Sequence, residues 1–63
     1  MINRIKARRF INNQTQDVLS NLTGLDRPKI SRIENGFVEP KQSEKEALAK
    51  ALKTSVKDLF PEK

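Results

Sequence analysis

Sixty-three residues, thirteen of them Lys or Arg and eight Asp or Glu, make a small basic chain of formal charge +5. With 35% hydrophobic residues, no Cys and no His, it has room for one small core at most. A disulfide, a thiolate metal site, and the commonest zinc ligand and general base are excluded.

A first helix is expected from about Ile2 to Asn12, with Ile2, Ile5, Phe10 and Ile11 as its apolar contacts. Asn12-Asn13 suits its end, because Asn tolerates the left-handed conformation. Thr15 is a good N-cap for a second helix, about Gln16 to Thr23, whose apolar side is Val18, Leu19 and Leu22. Gly24 can then take a positive φ at low cost. Asp26 is a second good N-cap, and Pro28 fits the first turn of a third helix, about Arg27 to Glu34. That helix buries Ile30 and Ile33 and stops at Asn35-Gly36.

Phe37 to about Lys41 reads as a loop, with Pro40 marking the approach to a fourth helix. The fourth helix ends near Leu52 and turns Leu48, Ala49 and Leu52 inward; its first turns are polar all round. Ser55 caps a short last helix, with Asp58 in place to complete a capping box. Val56, Leu59 and Phe60 form its apolar side and Pro61 stops it. The expectation is an all-α chain of five short helices forming a single domain over 1–63, with a tight helix–glycine–helix joint at its centre.

The charge is unevenly placed. Residues 1–32 hold seven basic and two acidic side chains, a balance of +5, whereas residues 33–63 are neutral. Such asymmetry points to a polyanionic partner, against the alternative of an uneven solubilising surface. At the joint, Leu19, Leu25, Ile30 and Ile33 fill the wedge, and small Ser20 lets the third helix cross closely. Arg27, Pro28, Lys29 and Arg32 are then its outward positions.

The residues Gln16, Leu19, Ser20, Gly24 and Leu25, followed by Ile30-Ser31-Arg32-Ile33-Glu34-Asn35-Gly36, resemble the helix-turn-helix of the phage repressor and Cro type, the XRE family. Pro40, Ala49, Leu52, the tail Ser55 to Phe60, and Arg9 seven residues before Gln16 extend the resemblance over nearly the whole chain. It implies a compact five-helix, lambda-repressor-like domain with the helix-turn-helix at about 16–35. The second helix would lie across the backbone of double-stranded DNA and the third would enter the major groove.

Carried over residue by residue, the resemblance makes Arg27, Pro28 and Arg32 base-reading positions, with Lys29 beside them. Thr15, Gln16 and Asn35 become phosphate contacts, to which charge adds Lys41. Arg9 and Glu34 become an ion pair joining the first and third helices. Val56, Lys57, Leu59 and Phe60 become a dimer face, with the alternative that the apolar three are only core. The sequence departs from the family at Gln14, Thr23, Lys45 and Lys53, where aliphatic residues stand at the first two, Leu at the third and Gly at the fourth.

The leading expectation is a sequence-specific transcriptional regulator, a repressor from a phage or mobile element, acting as a homodimer on a two-fold operator. It would be either Cro-sized or the DNA-binding part of a longer repressor. The alternative is an antitoxin or other protein-interaction module. No enzyme activity, cofactor, metal, small-molecule ligand or membrane is expected. The lack of any apolar run near the roughly 18 residues of a membrane span, and of an apolar leader in Met-Ile-Asn-Arg-Ile-Lys, makes a cytoplasmic setting the expectation. The carboxylates of Glu44 and Glu46 are expected to be plain surface.

Overall fold

A computed structural model describes residues 3–61, and within them the chain forms five helices and no strand. They are α1 (Ile5–Ile11), α2 (Gln16–Thr23), α3 (Arg27–Glu34), α4 (Gln42–Ala51) and α5 (Val56–Leu59). α2 packs on α3 and on α4, and α4 packs on α5. Ile5, Leu19, Ile30, Ile33, Leu48, Leu52 and Leu59 are fully buried, with Ala49 and Phe60 nearly so.

The joint is built by local chemistry. Thr15 Oγ1 accepts from the Val18 N–H at 3.1 Å and starts α2. Gly24 ends α2 at φ 79°, where a side chain would be strained. The Ser20 hydroxyl donates to the Leu25 carbonyl at 2.5 Å and ties α2 to the turn. Thr23 Oγ1 donates to the Leu19 carbonyl at 2.8 Å and accepts from the Leu25 N–H at 3.2 Å. Asp26 precedes α3 in an extended conformation but makes no side-chain cap. A cap oxygen accepts from the second or third helical N–H, and the second residue here is Pro28, which has none.

α1 begins three residues later than the sequence pattern placed it. Asn3 Oδ1 accepts from the Ile5 N–H at 3.2 Å, its Nδ2 donates to the Ile33 carbonyl at 2.7 Å, and the Arg4 N–H donates to the Leu59 carbonyl at 2.9 Å. The last two, both long-range, hold residues 3–4 outside the helix. Ile2 lies outside the described residues. Phe10 and Ile11, expected as packing residues, are 70% and 69% exposed. The inward position one turn after Ile5 is Arg9, 8% exposed, so the next two residues face out. In α2, likewise, only Leu19 is buried. Val18 and Leu22 face solvent because Gln16, Ser20 and Thr23, all hydrogen-bonded, share the inward side with Leu19.

Of the residues that depart from the family pattern, Thr23, Lys45 and Gln14 are held by visible contacts. The Lys45 ammonium lies 5.4 Å from the Phe60 ring centroid, so its stem covers core where the family has Leu. Gln14 Nε2 donates to the Ala51 carbonyl at 3.2 Å. Lys53, at the family's Gly position, adopts φ 60°. α4 starts more firmly than its polar sequence indicates, since Glu44 Oε1 accepts from the Lys41 N–H at 2.9 Å. The reciprocal half of a capping box cannot form, because a lysine side chain has no acceptor. At α5 the Ser55 hydroxyl accepts from the Asp58 N–H at 3.1 Å. Asp58 does not complete that box; its carboxylate binds Arg8 and Thr54 instead, each at 2.8 Å.

Candidate nucleic-acid interface

α3 exposes Arg27, Pro28 and Arg32 while it buries Ile30 and Ile33 against the core. An eight-residue helix is about 12 Å long, comparable to the width of a major groove. Gln16, Arg27, Pro28 and Ser31 line an open depression where the N-terminal turns of α2 and α3 meet. Ser31 was not singled out as a site residue; its place on α3 one turn after Arg27 is the signal that could have found it. Arg32 has no carboxylate within 4.0 Å among the described residues, so its guanidinium is free to meet a ligand.

The other two cations of α3 are engaged. Arg27 Nη1 lies 3.2 Å from Asp17 Oδ1, an exposed pair across the α2–α3 joint. Lys29 is not an outward position. It is half-buried, and its ammonium donates to Glu44 Oε2 at 2.7 Å. Glu44 is therefore no plain surface carboxylate: its side chain is only 15% exposed. The Lys29 hydrogen bond, with the Lys41 N–H behind it, holds its carboxyl below the usual carboxylate range. Glu46 accepts from the Gln42 amide at 3.3 Å.

Arg9 and Glu34 form a bidentate contact between α1 and α3, with Nε 2.6 Å from Oε2 and Nη2 3.3 Å from Oε1. Their side chains are 10% and 4% exposed. Arg9 Nη1 also donates to the Gln14 carbonyl at 3.2 Å, and Gln16 Nε2 donates to Glu34 Oε1 at 3.1 Å. The Gln16 amide thus links the start of α2 to the end of α3, and one of its N–H groups is already committed. Thr15 is exposed with its hydroxyl oxygen capping α2; Asn35 and Lys41 are exposed on either side of the 36–40 loop. Phe37 in that loop is 78% exposed.

The expected dimer residues are divided between core and surface. Leu59 is fully buried and Phe60 is 6% exposed, so neither offers appreciable area to a second chain; Val56 is half-buried and Lys57 exposed. A second, unexpected cluster ties α1 to α5: Arg8 Nε donates to Asp58 Oδ2 at 2.8 Å and Arg4 Nη1 lies 3.5 Å from Oδ1. Arg8, with Thr54 next in effect, holds the Asp58 carboxyl below its usual range. Among the described residues there is no group of His, Cys, Asp or Glu side chains arranged to hold a metal ion. Among the same residues no helix is long and apolar enough to cross a membrane.

Residues 3–60 match the family of helix-turn-helix domains. The chain belongs to that family. The match spans all five helices, the α2–α3 pair among them, and membership of that family suggests DNA as a partner. A comparison with curated proteins returned no match.

Proposed function

We propose that this helix-turn-helix domain is a sequence-specific, double-stranded DNA-binding transcriptional regulator of the repressor and Cro type. In this reading α3 lies in the major groove and α2 crosses the backbone. The observation that carries it is the division of α3 into a buried Ile30 and Ile33 face and an exposed Arg27, Pro28 and Arg32 face. Arg32 is the reader of guanine, through a bidentate contact worth about 1–3 kcal/mol of discrimination. Arg27 reads a base or holds a phosphate, and Pro28 offers only apolar contact, as to a thymine methyl. Thr15, the remaining amide hydrogen of Gln16 and the N-terminal N–H groups of α2 hold one phosphate. Asn35 and Lys41 hold another.

One chain presents one recognition helix, and its longest dimension is 30 Å. Two copies side by side on one face of the duplex span successive major grooves, whose half-sites lie about 34–36 Å apart. The proposed regulator is therefore a homodimer on a two-fold operator. Val56 and Lys57 are the members of the expected α5 face that a second copy could touch.

Selection of sites from random duplex DNA tests the whole reading at once. A palindromic consensus with that spacing is the expected result, with Arg32→Ala relaxing one position per half-site and Gln16→Ala weakening all sequences alike. No enriched sequence, or a consensus unchanged by Arg32→Ala, would refute it.

A further inference from the structure

A second groove lies between α2 and α4, lined by Gln14, Leu22, Ala47, Lys50, Ala51 and Lys53. Leu22 is 58% exposed on its wall, and Val18 stands one turn earlier on the same side of α2. On the α4 side the walls are Ala47 and Ala51, one turn apart and small enough to admit another backbone closely. The rim is cationic. Among the described residues neither Lys50 nor Lys53 has a carboxylate within 4.0 Å. Gln14 contributes to the lining and is tied to α4 through its Nε2, which donates to the Ala51 carbonyl at 3.2 Å.

We infer that this groove docks an amphipathic helix of a partner protein, one with an apolar stripe flanked by Asp or Glu. The apolar walls take the stripe and Lys50 and Lys53 take the carboxylates. A nucleic-acid backbone matches only the lysines and leaves the apolar walls of Leu22, Ala47 and Ala51 uncovered. A symmetric second copy is disfavoured, because a two-fold contact here would set Lys50 and Lys53 against themselves. None of the lining residues is among those proposed to touch DNA, although Gln14 immediately precedes Thr15. The inference stands apart from the DNA-binding proposal, and its test reads a different surface.

The test is selection of a displayed library of helical peptides against the 63-residue chain. The expected winners share apolar residues at i, i+3 or i+4 and i+7 beside Asp or Glu. Leu22→Ser and Lys50→Glu, both at exposed positions, each weaken the winning peptide about tenfold or more, while the helical circular dichroism and the affinity for random duplex DNA change little. Basic or neutral winners, affinity indifferent to both substitutions, or no enrichment would overturn the proposal. So would a Leu22→Ser change in the sedimentation of the chain alone, which would make the groove a self-association face.

Discussion

Removing one half of the Arg9–Glu34 pair should come close to unfolding the domain. A 63-residue domain is expected to be stable by about 3–9 kcal/mol. The two side chains are 10% and 4% exposed, and their contacts join α1 to α3 with Gln16 and the Gln14 carbonyl attached. Glu34→Gln keeps the shape and removes the charge, which strands the Arg9 guanidinium in a nearly dry site. Breaking a buried pair in this way costs about 3–5 kcal/mol, at least about a third of the available stability and at the lower end of that range all of it. Arg9→Met should cost a similar amount by stranding Glu34. The double replacement Arg9→Met with Glu34→Leu leaves no orphaned charge and should recover most of the loss, since apolar substitutes for a buried pair are often neutral. Urea denaturation followed by circular dichroism at 222 nm measures all four forms, the chain having no Trp or Tyr to report by fluorescence. Single losses below about 1 kcal/mol, or losses that simply add in the double variant, would show that the pair is surface decoration and that the packing of α1 on α3 is carried by Ile5, Ile30 and Ile33 alone.

Three further outcomes follow from particular residues. Lys53→Gly should stabilise the domain by roughly 0.5–1 kcal/mol, because the left-handed cost of a side chain exceeds the added backbone entropy of Gly; a thermal midpoint raised by about 2–8 °C is the readout. Asp58 has a folded pKa held below its unfolded value, chiefly by Arg8, so its contribution to stability is full above about pH 4 and is lost as pH falls through the folded pKa. Thermal midpoints of the native chain and of Asp58→Asn should therefore differ at pH 6 and converge toward pH 2. Glu44→Gln should release Lys29 to phosphate and steepen the slope of log K against log salt for duplex DNA by about 0.9, whereas Glu46→Gln, the same change in net charge, should leave the slope nearly unaltered.

The α2–α3 joint could be read from the sequence because its determinants are local. Thr15, Gly24 and Pro28 act within a few residues of where they stand, and both helices run over the residues their signals mark. α1 was harder, since its start is set by bonds from Asn3 to Ile33 and from Arg4 to Leu59, which no window of neighbouring residues contains. Hydrophobicity misassigned Phe10, Ile11, Val18 and Leu22 for a single reason. In both helices polar side chains face inward beside the one fully buried aliphatic residue, satisfied by partners elsewhere in the chain. The Arg9–Glu34 contact was reachable only through the family resemblance, because composition predicts charged residues outside. Lys29 looked outward on a helix taken alone, and what turns it is Glu44, fifteen residues further on.

The same long-range pairs change the meaning of the charge in the first half of the chain. Arg4 and Arg8 are drawn to Asp58, Arg9 to Glu34, Arg27 to Asp17 and Lys29 to Glu44. In the proposed complex, what α3 offers to DNA depends on how hard each carboxylate is to leave. Arg32 has none to leave among the described residues. Arg27 leaves an exposed one, in a pair of the kind worth about 0–1 kcal/mol, so exchange of Asp17 for a phosphate or a guanine costs little. Asp17 then remains beside the contact as a negative charge that disfavours a misplaced phosphate. Lys29 would have to abandon a largely buried Glu44 already tied to the Lys41 N–H, and would strand it. The order in which these cations become available, Arg32, then Arg27, then Lys29, is set by the burial of their partners and not by their spacing along the helix.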